Sequence, residues 1–135
     1  STYGVGDLPD NPLIAFSTDG SPGMRHPRGY GSFAKIIQRY VREKGLLPLE
    51  LAIHKMTELP AKAIGLQGRG RLAPGFQADV VVFDETQVEA TATYEDPYQL
   101  AKGFDHIIIN GEVVRQEGRW TNVKAGKILR RAQKN

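Results

Sequence analysis

Residues 13–16, Leu-Ile-Ala-Phe, make an apolar run of strand length with no polar alternation, and the run stops abruptly at Ser17-Thr18-Asp19-Gly20. A run of that kind predicts a strand buried on both faces, which a parallel sheet covered by helices provides. It places a carboxylate, Asp19, at the carboxyl end of the strand, beside a glycine that lets the backbone turn away. In parallel α/β architectures that end of the strand carries the chemistry. His26 and Arg28 follow within a loop held by Pro22, Gly23, Pro27 and Gly29. One short loop therefore gathers an acid, an imidazole and a guanidinium.

Each of these residues also has an ordinary reading. An Asp before Gly is a common turn residue. A loop histidine commonly hydrogen-bonds backbone, and a surface arginine commonly forms an ion pair worth about 0–1 kcal/mol. Spacing alone does not choose between the two readings.

The chain after the loop reads in order. Ser32 is a candidate helix cap, and Phe33, Ile36, Ile37, Tyr40 and Val41 follow at the spacing of one apolar helix face, with Gly45 as the stop. Pro48 suits a first helical turn, and Leu49, Ala52, Ile53 and Met56 form a second apolar stripe. Thr57 then caps a short third helix, with Pro60 in its first turn and Gly65 at its end. His54 in the second helix has only Glu58 at ligand spacing, so it reads as structural or solvated rather than metal-binding. His106, in a strand-like stretch, reads as sheet surface.

At Gly65 the composition changes. Residues 78–84, Ala-Asp-Val-Val-Val-Phe-Asp, are a β-branched strand, residues 85–103 an ordered crossing loop, and residues 104–109 the next strand. Asn110-Gly111 is the strongest hairpin signal in the chain and predicts a type I′ turn into residues 112–116. Glu117-Gly118 makes a further turn before Trp120. The chain thus divides into residues 1–65, a strand with helices; residues 66–123, all β; and a basic tail over residues 124–135.

At 135 residues the chain has one domain's length and can bury about two thirds of its unfolded surface. Lys and Arg number 18 against 15 Asp and Glu, a mild excess concentrated after Arg119. That excess reads as a solvated tail and not a nucleic-acid arm, because no aromatic residue after Trp120 is interleaved to stack on bases. Without cysteine there is no disulfide framework and no thiolate ligand or nucleophile. No membrane span or signal peptide is visible, so a cytoplasmic location is expected.

The segments STDGSPGMRHPRGYGSFAKIIQRYVRE, LPLELAIHKMTELPAKAIGLQGRGRLAPGFQADVVVFD and IIINGEVV resemble, in order, the carboxy-terminal part of the N-acyl-D-amino-acid deacylases, the D-aminoacylase branch of the amidohydrolase superfamily. The GRGRLAPGFQADVVVFD stretch is common to many amidohydrolases. The DG, HPRGYG and HKMTELPA blocks together are specific to this branch. The resemblance implies an α/β plus β fold: the last strand and following helices of a (β/α)8 barrel, joined to a small β-sandwich-like domain. It implies a zinc-dependent hydrolase of N-acyl-D-amino acids, with zinc held by histidines that lie outside this sequence.

On that resemblance Asp19 is the catalytic base and acid, and also a residue within reach of the metal. Arg28 is the clamp for the substrate carboxylate, with Arg25 as the alternative in the shortened loop, and His26 and Ser21 line the same pocket. With one carboxylate, one isolated histidine and no H-x-H pair, the chain alone is expected to hold no zinc and to be inactive. Pairing with an amino-terminal portion or with a second copy is the expected partnership. The competing reading is a non-catalytic assembly module that reuses the carboxy-terminal half of the fold, its exposed strand edges pairing with another chain.

Overall fold

The computed structural model describes residues 11–21 and 23–130. Residues 1–10, part of a stretch over 1–11 that the sequence reads as a loop from its Gly, Asp, Pro and Asn content, and the last five residues of the basic tail lie outside the described residues. Helices come first. Helix α1 spans Arg28–Lys35 and continues as a π-helix over Ile36–Glu43. Helices α2 (Leu49–Met56) and α3 (Glu58–Ala63) follow. Four strands complete the order: β1 (Val80–Phe83), β2 (Phe104–Ile109), β3 (Glu112–Gln116) and β4 (Arg119–Trp120).

The first helix starts earlier than the apolar spacing suggests. Pro27 occupies the cap with φ −59°, a value its ring fixes in advance, and its carbonyl accepts the amide of Gly31 at 3.0 Å. Ser32 is therefore no cap. It lies inside the helix, where its hydroxyl donates back to Arg28 O at 2.7 Å. Ala34, Ile37 and Val41 form the buried face, and Gly45, at φ +58°, ends the helix in the left-handed conformation. Pro48 sits at the cap of α2 in an extended conformation, one position before the turn expected for it.

The run over residues 13–16 does not form a strand. The backbone turns at Pro12 and Leu13 and then extends without joining any ladder, and Leu13 is 85% exposed. A buried strand requires neighbours for its N–H and C=O groups, and among the described residues none lies beside it. Its ties are to α2 instead: the Phe16 amide donates to Lys55 O at 2.9 Å.

Among the described residues the β portion is one antiparallel sheet in the order β1-β2-β3-β4. Asn110 (φ +50°) and Gly111 (φ +83°) make the two-residue turn between β2 and β3, as the Asn-Gly pair predicts. Glu117 and Gly118 make the next turn, and Ile109 pairs with Glu112, and Arg115 with Trp120. Strand β1 begins two residues later than residue 78, because the Asp79 amide donates to Gln77 O at 2.9 Å and not to a neighbouring strand. The Asp79 carboxylate meets Arg69 and accepts the Asn110 amide at 2.8 Å.

The core joins helices to sheet. Ala34, Ile37 and Val88 are buried together, with Ile53, Met56, Phe83 and Phe104 packed on them. Val41, Leu47 and Ala52 form a second cluster under Phe16. The crossing loop is held by the π-helical segment: Gln38 accepts the Ala90 amide at 2.9 Å, and Arg42 donates to Val88 O at 2.9 Å. One bridge, Glu89 with Lys102, closes the loop on itself.

Candidate active site

Two backbone segments meet where the acid and the guanidinium face each other. A Cβ placed on Gly20 would lie 3.3 Å from Gly29 Cα, so the loop after Phe16 lies against the start of α1 at a glycine-to-glycine contact. The approach is tight enough that a side chain would force one segment to give way. Asp19 adopts φ +49°, a left-handed value that Asp tolerates better than most residues. Ser17 Oγ and Thr18 Oγ1 accept the amides of Asp19 and Gly20 at 3.3 and 3.2 Å, shaping the turn.

From there Asp19 Oδ2 lies 2.8 Å from Arg28 NH2, with the carboxylate 79% and the guanidinium 46% exposed. Arg28, and not Arg25, faces Asp19. His26 Nδ1 accepts the Arg28 backbone amide at 3.1 Å, which puts the proton of the neutral ring on Nε2. The ring edge meets Tyr94 of the crossing loop at 5.0 Å between centroids. Ser21 is exposed, and its carbonyl accepts the Met24 amide. A pocket of about 260 Å³ opens between the start of α1 and the crossing loop, lined by His26, Arg28, Lys35, Ala90 and Tyr94 among others.

Two carboxylates elsewhere in the chain are shifted from their ordinary values. Glu58, at the start of α3, is surrounded by Lys62 Nζ at 2.7 Å, His54 Nδ1 at 3.4 Å and Arg71 NH1 at 3.6 Å. The hydrogen bond from Lys62 is the chief reason its carboxyl lies below the ordinary glutamate range. His54 thus belongs to an ion-pair cluster. Asp84 is likewise held low, by the hydroxyl and amide of Thr86.

A catalytic zinc takes three protein ligands and leaves one position open. Among the described residues no three His, Cys, Asp or Glu side chains converge to hold a metal. Asp19 is engaged by Arg28, and His26 has already committed Nδ1, so the loop offers one carboxylate and one free imidazole nitrogen. That donor set does not fit a metal centre of its own. Reading the sequence alone missed the glycine contact, Tyr94 and Lys55. Tyr94 and Lys55 act across long separations in the chain, whereas the contact of Gly20 with Gly29 spans nine residues and is the one that the DG and PRG motifs could have signalled.

The chain belongs to the amidohydrolase family, whose profile matches residues 3–115. A D-aminoacylase of Alcaligenes xylosoxydans xylosoxydans is 42% identical over 96% of this chain and 28% of its own. An N-acyl-D-glutamate deacylase of the same organism is 47% identical over 84% of this chain and 24% of its own. The crystal structure of a D-aminoacylase superposes with a TM-score of 0.81 at 41% identity, covering 87% of this chain and 25% of the other. The N-acyl-D-glutamate deacylase of Bordetella bronchiseptica, complexed with zinc and a phosphonate that mimics the tetrahedral intermediate, gives 0.74 at 42% identity, covering 81% of this chain and 24% of the other. The chain thus spans about a quarter of the length of the relatives it matches. No helix among the described residues is long and apolar enough to cross a membrane.

Proposed function

We propose that this chain supplies the acid–base group and the carboxylate clamp of an N-acyl-D-amino-acid deacylase. Residues 1–65 would form the active-site portion and residues 66–123 the small β portion. The reading rests on one observation, the 2.8 Å contact between Asp19 and Arg28. In an N-acyl-α-amino acid the amide nitrogen and the carboxylate are separated by a single carbon. The group that protonates the nitrogen and the group that binds the carboxylate must then be neighbours.

Arg28 has donors to spare. One terminal nitrogen meets Asp19, while the rest of the planar fork is available to a substrate carboxylate. His26 accepts the Arg28 backbone amide and lines the pocket, while Ser21 is exposed in the same loop. Asp19 accepts a proton as water adds to the acyl carbonyl. It returns that proton to nitrogen as the C–N bond breaks, so that carboxylic acid and amine leave with atoms balanced. A positioned base of this kind contributes about 10²- to 10⁴-fold. Zinc, as in the complex of the Bordetella bronchiseptica relative, needs ligands beyond the described residues. By itself the 135-residue chain is therefore proposed to be inactive.

Two measurements test this. Metal analysis of the purified chain with N-acetyl-D-amino acids should find neither stoichiometric zinc nor turnover, and finding both would overturn the proposed division of labour. In a full-length deacylase, Asn at the position equivalent to Asp19 should lower kcat at least about a hundredfold. Lys at the position equivalent to Arg28 should chiefly raise KM, and an equal loss on substrates lacking the carboxylate would count against the clamp.

A further inference from the structure

Lys55 is a fully buried charged side chain, and nothing in the proposed reaction uses it. It projects from α2, between Ala52 and Met56, where an apolar residue would pack with less penalty. Its ammonium donates to the carbonyl oxygens of Asn11 and Ile14, the latter at 2.9 Å, and lies 5.7 Å from the centre of the Phe16 ring. The chain is shaped to receive it. Asn11 O also accepts the Ile14 amide at 3.2 Å, and Asn11 Oδ1 accepts the Leu13 amide at 2.9 Å, so the turn aims two carbonyls at one cation. The Phe16 amide answers with a bond to Lys55 O at 2.9 Å. Among the described residues no carboxylate is paired with this ammonium. Burying an ammonium carries a large desolvation cost, and backbone carbonyls that need donors of their own offset it.

We propose that Lys55 is a positioning residue for Asp19. The Lys55 side chain and backbone carbonyl grip the apolar segment from α2, at Asn11, Ile14 and Phe16. Asp19 follows three residues after the last grip. The meaning of that placement for catalysis rests on the reading of Asp19 as the acid–base group, whereas the tether stands or falls independently.

The test is amide exchange and NMR on the 135-residue chain with Lys55→Met and Lys55→Arg. In Lys55→Met, Phe16 protection should fall at least about tenfold and the Asp19 and Arg28 resonances should move, while the amides of Ala52 and Gly111 keep theirs. Lys55→Arg, which retains a cation and donors, should recover most of the Phe16 protection. Unchanged Phe16 and Asp19 signals in the Met variant, or no recovery in the Arg variant, would overturn the tether. Should the Met variant unfold throughout, the unsubstituted chain decides: its Lys55 ammonium protons should exchange with water far more slowly than those of exposed lysines, and equally fast exchange would refute the proposal. Titration with acetate reads the other claim separately. Failure to shift Arg28 would remove the carboxylate clamp and leave the Lys55 tether intact.

Discussion

Glu58 shows how one residue can tie the helical part of the chain to the segment leading into the sheet. Its carboxylate serves Lys62 one turn on, His54 one turn back and Arg71 beyond α3. Gly70, at φ +92°, lies so close that a Cβ there would fall 2.9 Å from Glu58 Cα. Because the folded pKa lies below the ordinary value of 4.5, the unfolded chain binds the proton more readily. The cluster's contribution is therefore fully present above that ordinary value and is lost as pH falls through the lowered one. Asp84, held low by Thr86, adds in the same direction. Glu58→Gln should lower stability near neutrality and flatten its decline into acid. Urea midpoints followed across the carboxylate range check this, and an unaltered slope would deny Glu58 the role. At this scale the sequence marks residues and not their contacts. Asp19, His26 and Arg28 stand out because they share a short loop. Lys55 does not, since its partners at Asn11 and Ile14 lie some forty residues away and the apolar stripe around it reads as plain core.

At the scale of elements, legibility follows range. The Asn110-Gly111 turn is read from two residues because their positive φ values are a local requirement. The run over residues 13–16 joins no ladder among the described residues, because strand pairing is a property of neighbours and not of the run itself. Apolar spacing finds the face of the first helix yet carries no sign that its second half closes i→i+5 bonds, such as the Lys44 amide to Arg39 O at 3.0 Å. Two glycines separate local from tertiary demands. Gly111, at φ +83°, has nothing within 4 Å of where a Cβ would stand, so Gly111→Ala should cost only the left-handed penalty of about 1–2 kcal/mol. Gly103, at φ +88°, would place that Cβ 2.6 Å from Gln87 carbonyl carbon, against the backbone that carries Val88. Gly103→Ala should be clearly the more damaging in thermal melts, and equal losses would mean that the crossing loop yields freely.

For the molecule as a whole the question is whether helices and sheet unfold as one. Val88, fully buried, comes from neither set of elements, yet it fills the space between Ala34 and Ile37 on one side and Phe83 and Phe104 on the other. Its carbonyl is held by Arg42, and the Ala90 amide two residues on is held by Gln38. The crossing loop, which the sequence presents as an ordered connection between strands, is thus the seam of the core. It also carries Tyr94 to His26, so the pocket wall and the seam are one segment. Removing two methyl groups from a site so enclosed forfeits their burial and leaves a gap, a loss of about 1.5–3 kcal/mol. Val88→Ala should lower the midpoint of the helical circular-dichroism signal and of Trp120 fluorescence, which reports on β4 under the Arg115 guanidinium 5.2 Å from its ring, by the same amount. If the tryptophan transition stayed in place while the helical one moved, the seam would not couple the two parts, and the pocket between them would owe its shape to the helices alone.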